Sequence, residues 1–353
     1  MANFTTYKVN LPGPYHIKKG IPCQDAYCIR ETPDGVIVAA VSDGLGSEAY
    51  SDKGAKIASS FVATYCKQNY KPEMTEGETI TLLRRAYTKA YAQVKETALA
   101  DGNDSDQYDC TLCTVIYDGK NLYYGQSGDS GLIVGSYDGG YYKITEQQRD
   151  EDGNVFPLCF GPEYWDFGKV EGNVTSVMLM TDGVWEQACP PILRFEKQQI
   201  NVGFVEMFMN HYGLKKYEVR SLEREARRYL CDFPAERLDD DKTIVVVVNT
   251  DANPIRREDS YYASPDWNEL VAMREKRIRE QSEPKVTVED AEDTDGHIDS
   301  KSELRRPVDF TAAGKAIKAI VDKVDEVLIP PTKNKPEETK KHTPKTIYID
   351  IRV

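Results

Sequence analysis

The chain has 353 residues, 40% of them hydrophobic, and a formal net charge of −13. That length and apolar content can bury a sizeable core, and the acidic balance argues against a general binder of nucleic acid or anionic membrane, which needs a basic footprint. No run approaches the ~20 apolar residues that cross a bilayer, so no membrane partner is expected.

Taken in chain order, the N-terminus MANFTTYKVNLPG lacks the apolar segment of a secretory signal. VIVAAVS, residues 36–42, is a continuous apolar run of the kind found in buried strands. Residues 51–68 place Ala55, Ala58, Phe61, Val62 and Tyr65 at helical spacing. Residues 78–99 do the same through Ile80, Leu83, Ala86, Tyr87, Ala90 and Val94. A meander follows: TLCTVIYD, a Gly119-Lys120 turn, NLYYGQSGD, SGLIVGS, an Asp138-Gly139-Gly140 turn and YYKI. VTSVMLMT (174–181) predicts another strand, two helices follow at about 200–212 and 217–231, and KTIVVVVN (242–249) predicts a fully buried strand. This order predicts an α+β fold with at least one antiparallel sheet and strands covered on both faces.

Past Thr250 the composition changes. Residues 276–309 are charged, with the acidic cluster VEDAEDTD, and residues 330–345 are rich in Pro, Lys and Thr. The expected division is a folded domain over 1–250 and a charged, largely disordered tail over 251–353. Two islands interrupt the tail: an amphipathic helical spacing at 307–329 and the strand-like TIYIDIRV at 346–353. Each is marginal alone, and each is a candidate for docking on a partner protein or back on the domain.

Eight cysteines are dispersed without tight framework spacing, which points to reduced thiols in a cytoplasm. Cys110 and Cys113 form a CxxC inside a strand-like run, with no second pair or nearby His, and read as ordinary strand residues. The four histidines, His16, His211, His297 and His342, are scattered, so a zinc held by several imidazoles is not expected. Any metal should be a hard ion bound by oxygen.

Acids recur at strand ends. Asp43 follows VIVAAVS, Asp129 follows NLYYGQSG, Asp182 follows VTSVMLMT, Asp240 precedes TIVVVV, and Asp25 lies in PCQDA. One Asp-Gly is usually a turn. Several carboxylates abutting apolar strands repel one another and need a cation. A set of Asp without His fits Mg²⁺ or Mn²⁺.

The set Gln24-Asp25-Ala26, Asp43-Gly44-x-Gly46, Cys110-Thr111-Leu112, Gly128-Asp129-Ser130, Thr181-Asp182-Gly183-Val184-Trp185-Glu186 and Asp240-x-x-Thr243 resembles the metal-dependent protein phosphatases of type 2C, in order and approximate spacing, over residues ~10–249. The opening stretch from His16 to Asp25 is similar to a bacterial branch of that family. The resemblance implies a central antiparallel β-sandwich flanked by helix pairs, in α/β/β/α layers, with two metals at one edge. It implies that Asp43 bridges both ions, that the Gly44 carbonyl binds one, that Asp182 and Asp240 bind the other, and that Asp25 acts through metal-bound water. Asp129 matches an acid that helps a third, weaker metal in some members. The implied activity is hydrolysis of phosphoserine and phosphothreonine on proteins by a metal-activated water, with a Ser/Thr kinase or its target as natural substrate.

Three positions depart from the family pattern. A common acid is Gln24 here; a common phosphate-binding Arg is Gly20, with Lys18, Lys19 or His16 as candidate replacements; and a common His after Asp-Gly is Leu45. The segment between Asp129 and Asp182 is short, leaving about 146–170 as a reduced flap whose aromatics are expected to pack. The alternative to an active enzyme is a catalytically weak module of the same fold that binds phosphoproteins; the retained Asp43, Asp182 and Asp240 favour activity.

Overall fold

The computed structural model describes residues 2–211, 218–233, 238–282 and 345–348. Two sheets face each other. One runs in the order β1 (Phe4–Leu11), β10 (Lys242–Asn249), β9 (Val174–Met180), β6 (Gly131–Ser136), β7 (Tyr141–Lys143). The other runs β11 (Lys345–Tyr348), β8 (Asp166–Glu171), β5 (Leu122–Ser127), β4 (Leu112–Tyr117), β3 (Ile37–Ser42), β2 (Ala26–Glu31). Every pairing is antiparallel except β11 on β8.

The continuous apolar strands are what hold the layers together. Successive side chains on a strand point to opposite faces. Along β3, Ile37, Ala39 and Val41 therefore enter the core between the sheets, while Val38 and Ala40 enter the layer below the helices. Along β10, Val245 and Val247 face the inter-sheet core, and Ile244, Val246 and Val248 face the opposite helical layer. Helices α2 (Ser51–Asn69) and α3 (Glu76–Ala100) cover the six-stranded sheet through residues such as Ala58, Val62, Leu83, Ala86 and Tyr87. Helices α5 (Val202–Met209) and α6 (Val219–Cys231) cover the five-stranded sheet through Phe204, Val205, Phe208, Ala226 and Leu230. The α/β/β/α layering expected from the sequence is the one observed.

Several elements carry weaker signals. β1 alternates without an apolar run, burying Tyr7, Val9 and Leu11 alone, and is ordered by full-length pairing with β10. The short α1 (Pro14–Lys19) starts on proline and ends at Gly20, whose φ of 68° is the left-handed conformation glycine adopts freely. In the reduced flap, Leu158, Trp165 and Phe167 pack into the α2–α3 layer, while Phe156, Phe160 and Tyr164 form a ring cluster with Phe160 exposed.

The boundary expected at Thr250 falls inside the folded body. Ile255 N–H donates to the Tyr137 carbonyl at 2.7 Å, and the Tyr262 hydroxyl donates to the Gly139 carbonyl at 2.8 Å. Arg257 pairs with Asp138, and Arg256 pairs with Glu206 at 2.9 Å. The tyrosines and arginines of this segment bind the β6–β7 turn and α5, a role that polar composition conceals. A further helix, α7, spans Trp267–Ser282. Of the strand expected at 346–353, the described part is β11, in register Lys345↔Gly168 to Tyr348↔Glu171; residues 349–353 and the helix expected at 307–329 lie outside the described residues. Truncation after Thr250 is accordingly expected to lower the melting temperature by several degrees, whereas truncation after Ser282 keeps the 251–264 contacts and should cost less. Equal melting of both in a thermal scan would contradict this.

Candidate functional site

Each strand-end acid reaches the cleft by a specific backbone device. β3 is fixed beside Thr111: the Ser42 hydroxyl donates to the Thr111 carbonyl at 2.5 Å, the Asp43 N–H to the Thr111 hydroxyl at 3.0 Å, and the Thr111 N–H back to the Asp43 carbonyl at 2.8 Å. Gly44 follows because a Cβ there would lie 2.6 Å from the Ser51 carbonyl carbon at the start of α2. β9 delivers Asp182 as the first residue of α4 (Asp182–Ala188), where the positive end of the helix favours an anion. Gly183 is needed next, since a Cβ would stand 2.1 Å from the Asp241 carbonyl oxygen. Asp129 follows β5 and is 1% exposed.

Asp43, Asp129 and Asp182 each present an oxygen within 4.8 Å of the others. Asp25 lies beside them, 3% exposed, with one oxygen accepting from the Thr181 hydroxyl at 2.7 Å. Its other oxygen, Oδ1, is buried without a hydrogen-bond partner among the described residues. Desolvation and then the neighbouring carboxylates drive the electrostatics. Burial, with Asp182 and Asp25 alongside, pushes the Asp43 carboxyl well above its ordinary value. Burial also raises Asp25, against the Thr181 hydrogen bond and with help from Asp241. Asp129 is pushed up to about 7 by burial and Asp182, against Arg149. Asp240 is exposed as a residue, yet its carboxyl group is desolvated and faces Asp182, and it is pushed up to about 6. Such a group of oxygens, short of positive charge and including an orphaned Asp25 Oδ1, fits hard divalent cations.

A second cluster joins the N-terminal segment to the start of β10. The carboxylate of Asp241, 3% exposed, accepts from Gly13 N–H at 2.7 Å and Gln24 N–H at 2.6 Å, and lies 2.8 Å from His16 Nδ1. His16, Asp240 and Asp241 offer ligand atoms within 4.8 Å of one another. The structure thus brings His16 into the cleft wall and leaves Lys18 and Lys19 exposed on α1. Gln24 turns its amide nitrogen to the Ser51 hydroxyl at 2.8 Å and the Glu48 carbonyl at 3.3 Å.

Sequence reasoning missed three residues. Asp241 sits in the run Asp239-Asp240-Asp241, where no pattern marks which acid is buried. Thr181 looks like a helix-start residue, but its hydroxyl links Asp25 to the Thr243 N–H at 3.1 Å. Arg149, in a polar stretch without periodicity, reaches both Asp129 and Asp182, with Nη2 at 2.7 Å from the first and 2.9 Å from the second. Burial opposes its charge, and the facing Asp129 and Asp182 outweigh burial and hold the guanidinium above its ordinary value. A groove lined by Arg149, Trp185, Pro190, Arg194 and Phe195 leads away from this point.

Comparison with known proteins bears on the family and the fold. Protein phosphatase 2C homolog 3 of Schizosaccharomyces pombe is 27% identical over 143 residues, 40% of this chain and 32% of that protein, so the chain spans about a third of the length of the curated relative it matches. A solved structure of a C. elegans sex determining protein superposes with a TM-score of 0.50 at 14% identity, covering 72% of this chain and 66% of that one, a likeness of fold. Serine/threonine phosphatase Stp1 from Staphylococcus aureus gives a TM-score of 0.47 at 13% identity, covering 70% of this chain and 95% of that one. The family model for protein phosphatase 2C matches residues 12–225, well over half of the sequence. On that match, and with the two-sheet fold to accompany it, this chain belongs to the protein phosphatase 2C family.

Proposed function

We propose that the chain hydrolyses phosphoserine and phosphothreonine on proteins, using Mg²⁺ or Mn²⁺ held by its acidic cleft. The observation that carries this reading is the convergence of Asp25, Asp43, Asp129 and Asp182 carboxylates, buried or half-buried and short of compensating charge. Asp43, the Gly44 carbonyl, Asp182 and Asp240 would hold two ions, with Asp25 facing their water. Divalent ions in such a cleft supply Lewis-acid charge to phosphoryl oxygens and a lowered pKa to water.

The chain's own groups do the positioning. Thr181 fixes the rotamer of Asp25, Thr111 fixes the end of β3, and the Asp241 knot fixes the backbone next to Asp240. Burial pushes Cys66, Cys110 and Cys113 up to about 12 and raises Cys159 and Cys189 as well, which disfavours these thiols as nucleophiles. In this reading the nucleophile is water. The substrate is taken to be a phosphorylated protein such as a Ser/Thr kinase or its target, and the compartment the cytoplasm, in keeping with the dispersed cysteines. Among the described residues no helix is long and apolar enough to cross a membrane.

The test is a phosphatase assay on phosphoserine, phosphothreonine and phosphotyrosine peptides, with Mn²⁺ and then with EDTA. Turnover of the first two that EDTA abolishes is expected. Binding of the peptides without turnover would favour the phosphoprotein-binding module instead.

A further inference from the structure

Arg149 makes a contact that the proposed chemistry does not use. Its Nε donates to Asp129 Oδ2 at 2.8 Å, and its Nη2 reaches the same oxygen and Asp182 Oδ2. Nη1 makes none of these contacts.

The arginine is delivered by a braced loop. Gln148 N–H donates to the Gly128 carbonyl at 3.1 Å, and Gly128 N–H donates to the Gln148 side chain at 2.8 Å, which ties the residue before Arg149 to the residue before Asp129. On the far side, Arg149 bridges Val155, and Phe156 N–H returns to the Gln148 carbonyl at 3.0 Å. The tip is closed by Asp150, whose carboxylate accepts from Asp152 N–H and from both the backbone and side chain of Asn154. Much of the backbone ordering that a guanidinium needs to meet two carboxylates is thus built in.

A divalent ion bound by carboxylates sits ~2.0–2.1 Å from each oxygen if it is Mg²⁺. An ion bridging Asp129 to Asp182 through Oδ2 would occupy the space where the Arg149 nitrogens already lie, and would face their positive charge. The opposite edge of Asp182, together with Asp43, is left to other cations.

We propose that the Arg149 guanidinium is a tethered cation that occupies the position between Asp129 and Asp182, so that the wild-type cleft takes up one divalent ion fewer than its carboxylates would otherwise hold. This rests on the reading of the cleft as a divalent-metal site. The chain supplies one positive charge from its own loop, where an ion drawn from solution would be concentration-dependent. Cation occupancy at that position then does not vary with the supply of metal.

The experiment is Mn²⁺ uptake by the full chain, measured by equilibrium dialysis at millimolar Mn²⁺, with electron paramagnetic resonance to count the free ion. Arg149→Ala is expected to bind one more Mn²⁺ per chain than wild type, and Arg149→Ala/Asp129→Asn to lose that extra ion. Arg149→Gln keeps a side-chain N–H donor for the carboxylates but no charge, and should behave as Arg149→Ala does, which decides the matter if the alanine variant misfolds. Equal uptake by wild type and both single Arg149 variants would overturn the proposal. So would loss of one ion from wild type on Asp129→Asn. If wild type binds none and the Arg149 variants bind one, the tethered cation stands and the divalent pair falls; no binding by any variant overturns both.

Discussion

Asp182→Asn is expected to lower Mn²⁺-dependent hydrolysis of a phosphothreonine peptide by about 10²–10³-fold or more, the scale seen when one preorganised electrostatic group is removed from a transition state. Asparagine keeps the side chain's volume and can still accept from Arg149 Nη2, now 2.9 Å from Asp182. What it loses is one negative charge among Asp25, Asp43, Asp129 and Asp240, all of whose carboxyls are raised by their neighbours as well as by burial. In EDTA the variant should therefore melt no lower than wild type, because a repulsive charge has gone. The pair of measurements separates a ligand from a structural residue. Retained hydrolysis would refute the metal assignment, and a large fall in melting temperature would show that the Arg149 pair holds the fold.

The second large effect is on stability. Asp241→Ala should cost about 3–5 kcal/mol, since it leaves the N–H groups of two buried residues, Gly13 and Gln24, without their acceptor. Each unsatisfied buried group costs ~1–3 kcal/mol, and His16 also loses the carboxylate beside its Nδ1. Against a typical total of about 5–15 kcal/mol this is a large fraction. Asp241→Asn, which keeps one acceptor oxygen, should fall between. Urea unfolding of the three chains checks the order, and a loss below about 1 kcal/mol for alanine would show that water replaces the carboxylate.

The layers and the strand-end acids were legible for one physical reason. β3, β4, β9 and β10 are buried on both faces, so their sequences are nearly uniform apolar runs, and an Asp at the end of such a run stands out. Asp43 and Asp182 were visible on that basis. Asp241 was not, because burial within Asp239-Asp240-Asp241 depends on where the chain meets Gly13 and Gln24, more than 200 residues away in sequence. Arg149 was hidden similarly: its aim is set by Gln148 on Gly128, a tertiary contact with no local pattern. The 251–264 segment misled because its tyrosines and arginines look like tail composition until the β6–β7 turn gives them partners.

The parallel pairing of Lys345–Tyr348 on β8 has a bearing on how the molecule behaves among its own copies. Without that strand, β8 is the outermost member of the six-stranded sheet, and the backbone groups on its outer side face solvent. An open border of that kind is a template on which another chain can build, the first step toward ordered aggregation. Lys345–Tyr348 cover four of its six residues, Gly168 to Glu171. The distal segment thereby works as a selvedge: it moves the border of the sheet from the six-residue β8 to a strand of four residues, a shorter template for another chain.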